Sequence, residues 1–349
     1  MNKKYDVIII GAGPAGISAA LNLQKLGKKN VLVIERYAFP RYKCCAGYIT
    51  GKTKKEYARL GLDTDKVNYS LIRDFGIFYR SRKRQDIQNK FLYTNRYIDR
   101  VELDDAFFRL AKEKGIEIKE NTAIKNHDAD SCFLVTSDDE SLAYDKLIFA
   151  DGASGYGSRY KTDGLKNIAM QLVFDSDRQE EIQIHFGITR RGYGWISSFG
   201  GKTNVGLTDV YDPAVNYTEE FQRFLDILGI EADTGRLRGA FTPIGVSDPI
   251  LGEKIYYVGD AVGACDPLTL SGLRYALRSA EECARAIALG RDEIYIEYIK
   301  KLKRRFAFMR ATQKIFYLRF CMYCVFNIGC RFFGRLVAAV FNNFFVNKK

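Results

Sequence analysis

Val7-Ile8-Ile9-Ile10-Gly11-Ala12-Gly13-Pro14-Ala15-Gly16 opens a strand, a tight turn and a helix within ten residues. The β-branched run reads as a buried strand, G-x-G-x-x-G follows at once, and Ile17 to Leu26 carries apolar residues at helical spacing. Val31 to Ile34 is a second apolar run, and it ends at Glu35. Together they make a β-α-β unit. The glycine pattern alone is a weak signal, but strand before, helix after and acid behind the second strand form the dinucleotide-binding context. Gly11 permits the turn, Gly13 lets the backbone approach a pyrophosphate, and Gly16 lets helix and strand pack closely. The helix start at Pro14 and Ala15 offers free N–H groups and partial positive charge to phosphate. Glu35, with Arg36 beside it, is placed to accept hydrogen bonds from an adenosine ribose. This fingerprint does not separate NAD from FAD.

Working outward, a loop rich in Arg, Lys and Cys runs from Arg36 to Gly51. Val101 to Lys114 reads as a helix with Leu103, Phe107, Leu110 and Ala111 on one face, and short strands fill 116 to 150. Residues 165 to 210 alternate apolar and polar, as in Ile182-Gln183-Ile184-His185-Phe186, which is antiparallel patterning. Ile255 to Val258 is a further buried strand, and Leu273 to Leu289 a helix. Phe149-Ala150-Asp151-Gly152 and Val258-Gly259-Asp260-Ala261 each set Asp beside Gly after or at the end of such a strand.

At these two segments the chain resembles the FAD-dependent hydroxylase and reductase superfamily with the para-hydroxybenzoate hydroxylase fold. The resemblance covers roughly residues 5 to 290. It implies FAD as cofactor, with Asp260 on the ribityl chain, Asp151 and Gly259 nearby, and Pro267 to Gly272 passing the flavin ring before the helix at Leu273. Arg100, followed by Leu103-Asp104, matches a family arginine near the flavin. Pro40-Arg41-Tyr42-Lys43-Cys44-Cys45-Ala46-Gly47-Tyr48-Ile49 looks like the P-x-x-K-x-C-G-G-G-L loop of the geranylgeranyl reductase family. Gly192-Tyr193-Gly194-Trp195-Ile196, with Asn204-Val205-Gly206-Leu207, is similar to that family's Y-x-W-x-F-P…N-V-G segment. Departures are Ser197-Ser198 for Phe-Pro, Ala46 and Tyr48 for two loop glycines, and Leu270-Ser271 for Gly-Glu before Gly272.

The resemblance implies reduction of carbon–carbon double bonds in an isoprenoid or lipid-like substrate. Cys45, Ala46 and Gly47 then lie by the flavin, where the Cys45 thiol either gives a proton or shapes the pocket. Tyr193, Trp195, Cys265 and Pro267 face the substrate. The reductant stays open between NAD(P)H and a ferredoxin-like carrier, since no second nucleotide fingerprint occurs. A flavin monooxygenase and a non-catalytic electron-carrying flavoprotein are the alternative readings. The expected architecture is α/β. A Rossmann-type FAD domain (1–75, 98–160, 240–290) is interleaved with an antiparallel-sheet substrate domain (76–97, 161–239), and a helical region (291–349) follows.

The 349 residues are 47% hydrophobic and 28% charged, which excludes a disordered chain. The net charge of +12 comes from one place. Lys300 to Lys349 holds twelve Lys or Arg and no Asp or Glu, leaving 42 basic against 42 acidic residues before it. The N-terminal apolar run is too short for a secretory signal, so a cytoplasmic protein with eight thiols is expected. No uncharged apolar run reaches 18 residues. Residues 306 to 346 hold twelve aromatics. On a continuous helix Arg310, Lys314, Arg331 and Arg335 share one arc, which suits peripheral contact with the inner membrane face through 300–349. The aromatics cluster with aliphatics rather than in a polar groove, which argues against nucleic acid. His127 reads as a solvated loop residue and His185 as a sheet-surface residue. Two such distant histidines make no metal pattern, and Cys321-x-x-Cys324 reads as packing or lipid-facing.

Overall fold

A computed structural model describes residues 3–72, 74–86, 95–157 and 165–330. The first strand, Lys3–Ile10, lies at the middle of five parallel strands. Val31–Ile34 and Glu117–Lys119 lie to one side, Ser141–Phe149 and Ile255–Tyr257 to the other. Both faces of the sheet's centre are covered, which is why residues 7–10, Val31–Ile34 and residues 147–149 are unbroken apolar runs. Ile8, Ile9, Val33, Leu147, Ile148 and Phe149 are fully buried. Each such side chain is worth roughly 1.5–3 kcal/mol of burial. Helices Pro14–Lys25 and Leu273–Leu289 pack side by side on one face. The Ser18 hydroxyl ties them by donating to the Leu277 carbonyl at 3.0 Å.

A second sheet of seven strands draws on 75–86, 166–210 and 238–243. Its pairing is antiparallel except where Glu181–Phe186 runs parallel to Phe75–Tyr79. Alternation gives it two different faces. Met170, Leu172, Ile196, Val205 and Leu207 pack under helix Tyr217–Leu228, against Phe221, Phe224 and Leu225. The opposite face looks toward the C-terminal ends of the first sheet's central strands. Helix Gly51–Leu60 and a small sheet of Tyr48–Ile49, Arg96–Tyr97 and Ser70–Leu71 close the space between them.

Two histidines are placed differently from the sequence expectation. His127 belongs to strand Ile124–Asp128 and is buried, edge-on to Phe149 and Tyr156. His185 is buried because helix Tyr217–Leu228 covers it: its ring stacks on Phe78 and meets Phe224 edge-on.

The C-terminal region also differs. Helix Asp292–Phe316 buries Tyr295, Ile299, Leu302, Phe306, Met309 and Gln313, a three-and-four spacing that docks one face on the core. The chain breaks at Tyr317-Leu318 before a new helix at Arg319–Tyr323 and a π-helical turn over Cys324–Gly329. One continuous helix is therefore not formed, and Arg331 and Arg335 lie outside the described residues. Cys321 and Cys324 are half-buried free thiols. Among the described residues no helix is long and apolar enough to cross a membrane.

Candidate active site

The two sheets enclose a cavity of about 900 Å³. Its floor is the glycine turn. Gly11 has φ +100°, and a Cβ there would meet the Ala150 carbonyl oxygen at 2.7 Å. At Gly16 a Cβ would lie 1.8 Å from the Gly11 carbonyl oxygen, so only glycine lets helix and strand approach this closely. Gly13 stands before the helix, Pro14 occupies its first turn, and no side chain caps it. The first N–H groups thus remain available to phosphate. Gly11, Gly13, Pro14 and Ala15 line the cavity, whereas Gly16 acts from behind.

Glu35, 4% exposed, lines the same floor. Its carboxylate accepts from Ala12 N at 2.8 Å and Tyr37 N at 3.1 Å, which braces the turn. Two carboxylate oxygens have further lone pairs for a ribose. Arg36 lies at the rim, with its guanidinium over the Tyr37 ring. Arg100 and Asp104 form a buried bidentate pair at 2.8 and 2.7 Å, so the arginine reaches the cavity in one fixed orientation. Burial works against its charge, but the Asp104 carboxylate holds it well above the usual arginine range.

Across the cavity, Asp151 accepts from Gly157 N at 2.8 Å. The half-buried Asp260 carboxylate faces the cavity with no partner among the described residues. Gly259 does not line it; with φ +63° it packs on Ala15 and donates its N–H to the Ser279 hydroxyl at 2.9 Å. Gly272 and Leu273 do line it, at the start of an uncapped helix. Leu270, also lining, sits at φ +53°. That left-handed conformation costs a side-chain-bearing residue roughly 1–2 kcal/mol.

Cys45 and Ala46 line the cavity, and Gly47 supports them with φ +75° against Tyr97. The Asn204 amide donates to the Cys45 carbonyl at 3.1 Å, pinning this loop to the second sheet. The same Asn204 accepts from Trp195 Nε1 at 3.2 Å. Tyr193 donates to the Thr269 carbonyl at 2.9 Å, which joins the second sheet to the segment before Gly272. Burial pushes its phenol up. Cys265 is buried in the lining, and burial, with Asp260 and Asp266 nearby, holds its thiol well above the ordinary range. Burial and the neighbouring Cys45 push the Cys44 thiol up to about 12. Cys45 and Cys265 are both free thiols. Pro267 does not line the cavity; its carbonyl accepts from Gln313 Nε2 at 2.9 Å, so it anchors the C-terminal helix.

Residues that sequence reading passed over also line the cavity: Phe75, Gln171, Ile184 and Phe241 on the second sheet, and Tyr42 on the loop that meets it. The alternation of Lys166–Asp175 could have marked Gln171, which falls on the face opposite the apolar Met170 and Leu172.

This fold and site define an FAD-dependent oxidoreductase with the para-hydroxybenzoate hydroxylase-like fold. Residues 5–186 match the family described as pyridine nucleotide-disulphide oxidoreductase, and the chain belongs to it. An uncharacterised protein of Methanosarcina barkeri is 31% identical over 82% of this chain and 75% of its own. A menaquinone reductase of Mycolicibacterium smegmatis is 26% identical, with coverages of 83% and 78%. A digeranylgeranylglycerophospholipid reductase of Methanocaldococcus jannaschii is 27% identical, with coverages of 87% and 84%. Among solved structures, a geranylgeranyl bacteriochlorophyll reductase-like protein from Thermoplasma acidophilum has a TM-score of 0.75 at 20% identity, over 91% of this chain and 89% of its own. A Pseudomonas aeruginosa protein described as a probable FAD-dependent monooxygenase has the same fold, with a TM-score of 0.70 at 15% identity over 90% of this chain and 96% of its own. The glycine cradle, the braced Glu35 and the unpartnered Asp260 fit the dinucleotide this class uses.

Proposed function

We propose that this flavoprotein reduces carbon–carbon double bonds in an isoprenoid chain carried by a lipid or lipid-like molecule. The observation that carries the reading is the shared cavity. The dinucleotide cradle and the aromatic wall of Tyr193, Trp195 and Phe75 line one space. Support also comes from two relatives named as reductases, of menaquinone and of digeranylgeranylglycerophospholipid.

FAD held here would supply hydride chemistry once reduced, and the proton for the second carbon would come from the protein side of the cavity. Gly11, Gly13, Pro14, Ala15, Glu35, Arg100, Asp151, Asp260 and Leu273 hold the cofactor in this reading. Tyr193 and Trp195 orient the chain and exclude water. In this reading Cys45 Sγ gives that proton, and the Asn204 amide on the Cys45 carbonyl supports its position. The buried Cys265 thiol stays protonated beside the site.

The second part of the proposal concerns where the enzyme works. Phe308, Ile315, Phe320 and Tyr323 on the C-terminal helices, and Leu318 at the break between them, are exposed among Arg304, Arg305, Arg310, Lys314 and Arg319. Exposed apolar side chains among cations suit the surface of an anionic bilayer, where an isoprenoid substrate resides. Sedimentation with anionic vesicles, reversed by salt and absent with zwitterionic ones, is the expected result.

The activity is tested anaerobically. The holoenzyme is reduced with dithionite, prenylated quinones or lipids are added, and flavin absorbance and product masses are followed. Reoxidation with two mass units gained per double bond supports the proposal. Reoxidation only after oxygen enters, with sixteen units gained, overturns it in favour of a monooxygenase. NADH and NADPH, each tried in place of dithionite, identify the reductant.

A further inference from the structure

The substrate wall of the cavity has a polar end. Lys166–Asp175 lies one strand in from the sheet's edge, and Gln171 on it is 2% exposed yet lines the cavity. Its Nε2 donates to the Tyr42 hydroxyl at 2.6 Å. Its Oε1 is buried and has no partner among the described residues. A buried carbonyl oxygen without a donor is costly, and the residue that carries it lines a cavity that a ligand can fill.

Cross-strand pairing fixes what lies beside it. Gln171 stands opposite Arg238 on the edge strand and opposite Gly206 on the inner side. Gly206 in turn faces Trp195, and Trp195 faces Ile184. Directly opposed residues share a face. One row therefore runs from exposed Arg238, through Gln171 with Tyr42, across the bare backbone of Gly206, to Trp195 and Ile184. It is graded from polar at the edge to apolar inside.

The Gln171–Tyr42 pair has a definite chemistry. With its amide nitrogen on the phenol oxygen, Gln171 keeps an acceptor, and Tyr42 has an O–H to give that a ligand shares with the neighbouring Cys44 thiol. Turning the amide over exchanges the roles and again leaves one donor and one acceptor. A hydroxyl group gives and accepts at once. An ether or a diphosphate accepts only.

We propose that Gln171 and Tyr42 form a head-group subsite for a hydroxyl at the end of the isoprenoid substrate, with the chain laid over Gly206 and Trp195 into the cavity. This rests on the isoprenoid reading above and adds the class of head group.

The test uses the oxidised, FAD-loaded full chain and three probes: geranylgeraniol, its methyl ether and its diphosphate. Trp195 is the chain's single tryptophan and lies in the same row, so its emission reports occupancy; the flavin visible band is a second readout. The alcohol is expected to bind roughly tenfold more tightly than the ether, equivalent to about 1.4 kcal/mol. Gln171→Leu and Tyr42→Phe should each bring the alcohol to the ether's affinity and leave the ether unchanged. Tyr42 is half-exposed, so its variant preserves the test if Gln171→Leu fails to fold. Equal binding of alcohol and ether by the parent protein overturns the subsite and leaves the isoprenoid reading standing. So does tightest binding of the diphosphate, which would place the head group at Arg238, or equal weakening of both neutral probes by the variants. If no probe perturbs either signal in fully flavinated protein, the isoprenoid reading fails and the subsite falls with it.

Discussion

Gly206 tests whether the Trp195 ring forms the cavity wall. A Cβ at Gly206 would sit 2.0 Å from Trp195 Cζ2 and 2.4 Å from Cε2. Carbon atoms in contact need roughly 3.5–4.0 Å, so Gly206→Ala must lift the ring by about 1.5 Å into the cavity. That movement stretches the 3.2 Å bond from Trp195 Nε1 to Asn204, and Asn204 also holds the Cys45 carbonyl. Overpacking of this kind costs about 1–3 kcal/mol and a lost hydrogen bond about 1 kcal/mol, so a loss of about 2–4 kcal/mol is expected. The glycine cradle lies on the other sheet, so flavin content should not change. Urea unfolding, Trp195 emission, flavin stoichiometry and isoprenoid affinity are measured on the same preparation. The expected pattern is full flavin, a shifted emission maximum and at least a tenfold loss of isoprenoid affinity. Stability within about 0.5 kcal/mol of the parent, with unchanged emission and affinity, would refute the reasoning.

Gly16→Ala forces a methyl to within 1.8 Å of the Gly11 carbonyl oxygen, and backbone cannot swing aside. The variant should purify without flavin, as its absorbance at visible wavelengths will show; full flavin content would contradict the close-approach role. Leu270→Gly removes a left-handed strain of roughly 1–2 kcal/mol, against a glycine entropy cost of roughly 0.5–1 kcal/mol. A net gain of about 0.5–1 kcal/mol in urea unfolding is expected together with a raised KM, because the side chain leaves the cavity; a clear loss of stability would show that its contacts outweigh the strain. His185 is held neutral by burial, with Arg178 adding to the effect, and its value falls to about 4. The unfolded chain takes up this proton near pH 6.5 while the folded chain does so only near 4. Stability is therefore complete above about 6.5 and declines as pH falls toward 4, by up to about 3 kcal/mol. Unfolding free energies at pH 7, 6 and 5 should show this slope flattened in His185→Gln; identical slopes would remove His185 as its source.

Much of the cofactor half is legible in the sequence, because its signals are local. A β-branched run, a glycine turn that no side chain can occupy and an apolar three-and-four spacing act within about ten residues. The run Val31–Ile34 and the helix Leu273–Leu289 stand where their spacing puts them. Residues drawn by motif from positions as distant as Gly11, Cys45, Arg100, Tyr193 and Asp260 line one cavity. Helices Gly51–Leu60 and Tyr217–Leu228 went unread, since neither opens with a strong apolar run.

What the chain alone determined, then, is which short segments become strand, turn or helix, and which glycines must stay bare. Only the tertiary structure decided which faces those segments cover. Strand alternation says that His185 and Ile184 point oppositely, but Phe224, almost forty residues on, buries the histidine. Gln171 looks like an ordinary polar residue of a sheet until the loop carrying Tyr42 folds over it, takes its amide N–H and leaves its buried carbonyl without a partner among the described residues. Along the C-terminal helix, the spacing marks one apolar face. Contact with Pro267 and with the core then decides which part is buried and which aromatics remain outside. Periodicity is a property of neighbouring residues, whereas burial is a property of whatever else arrives at that face.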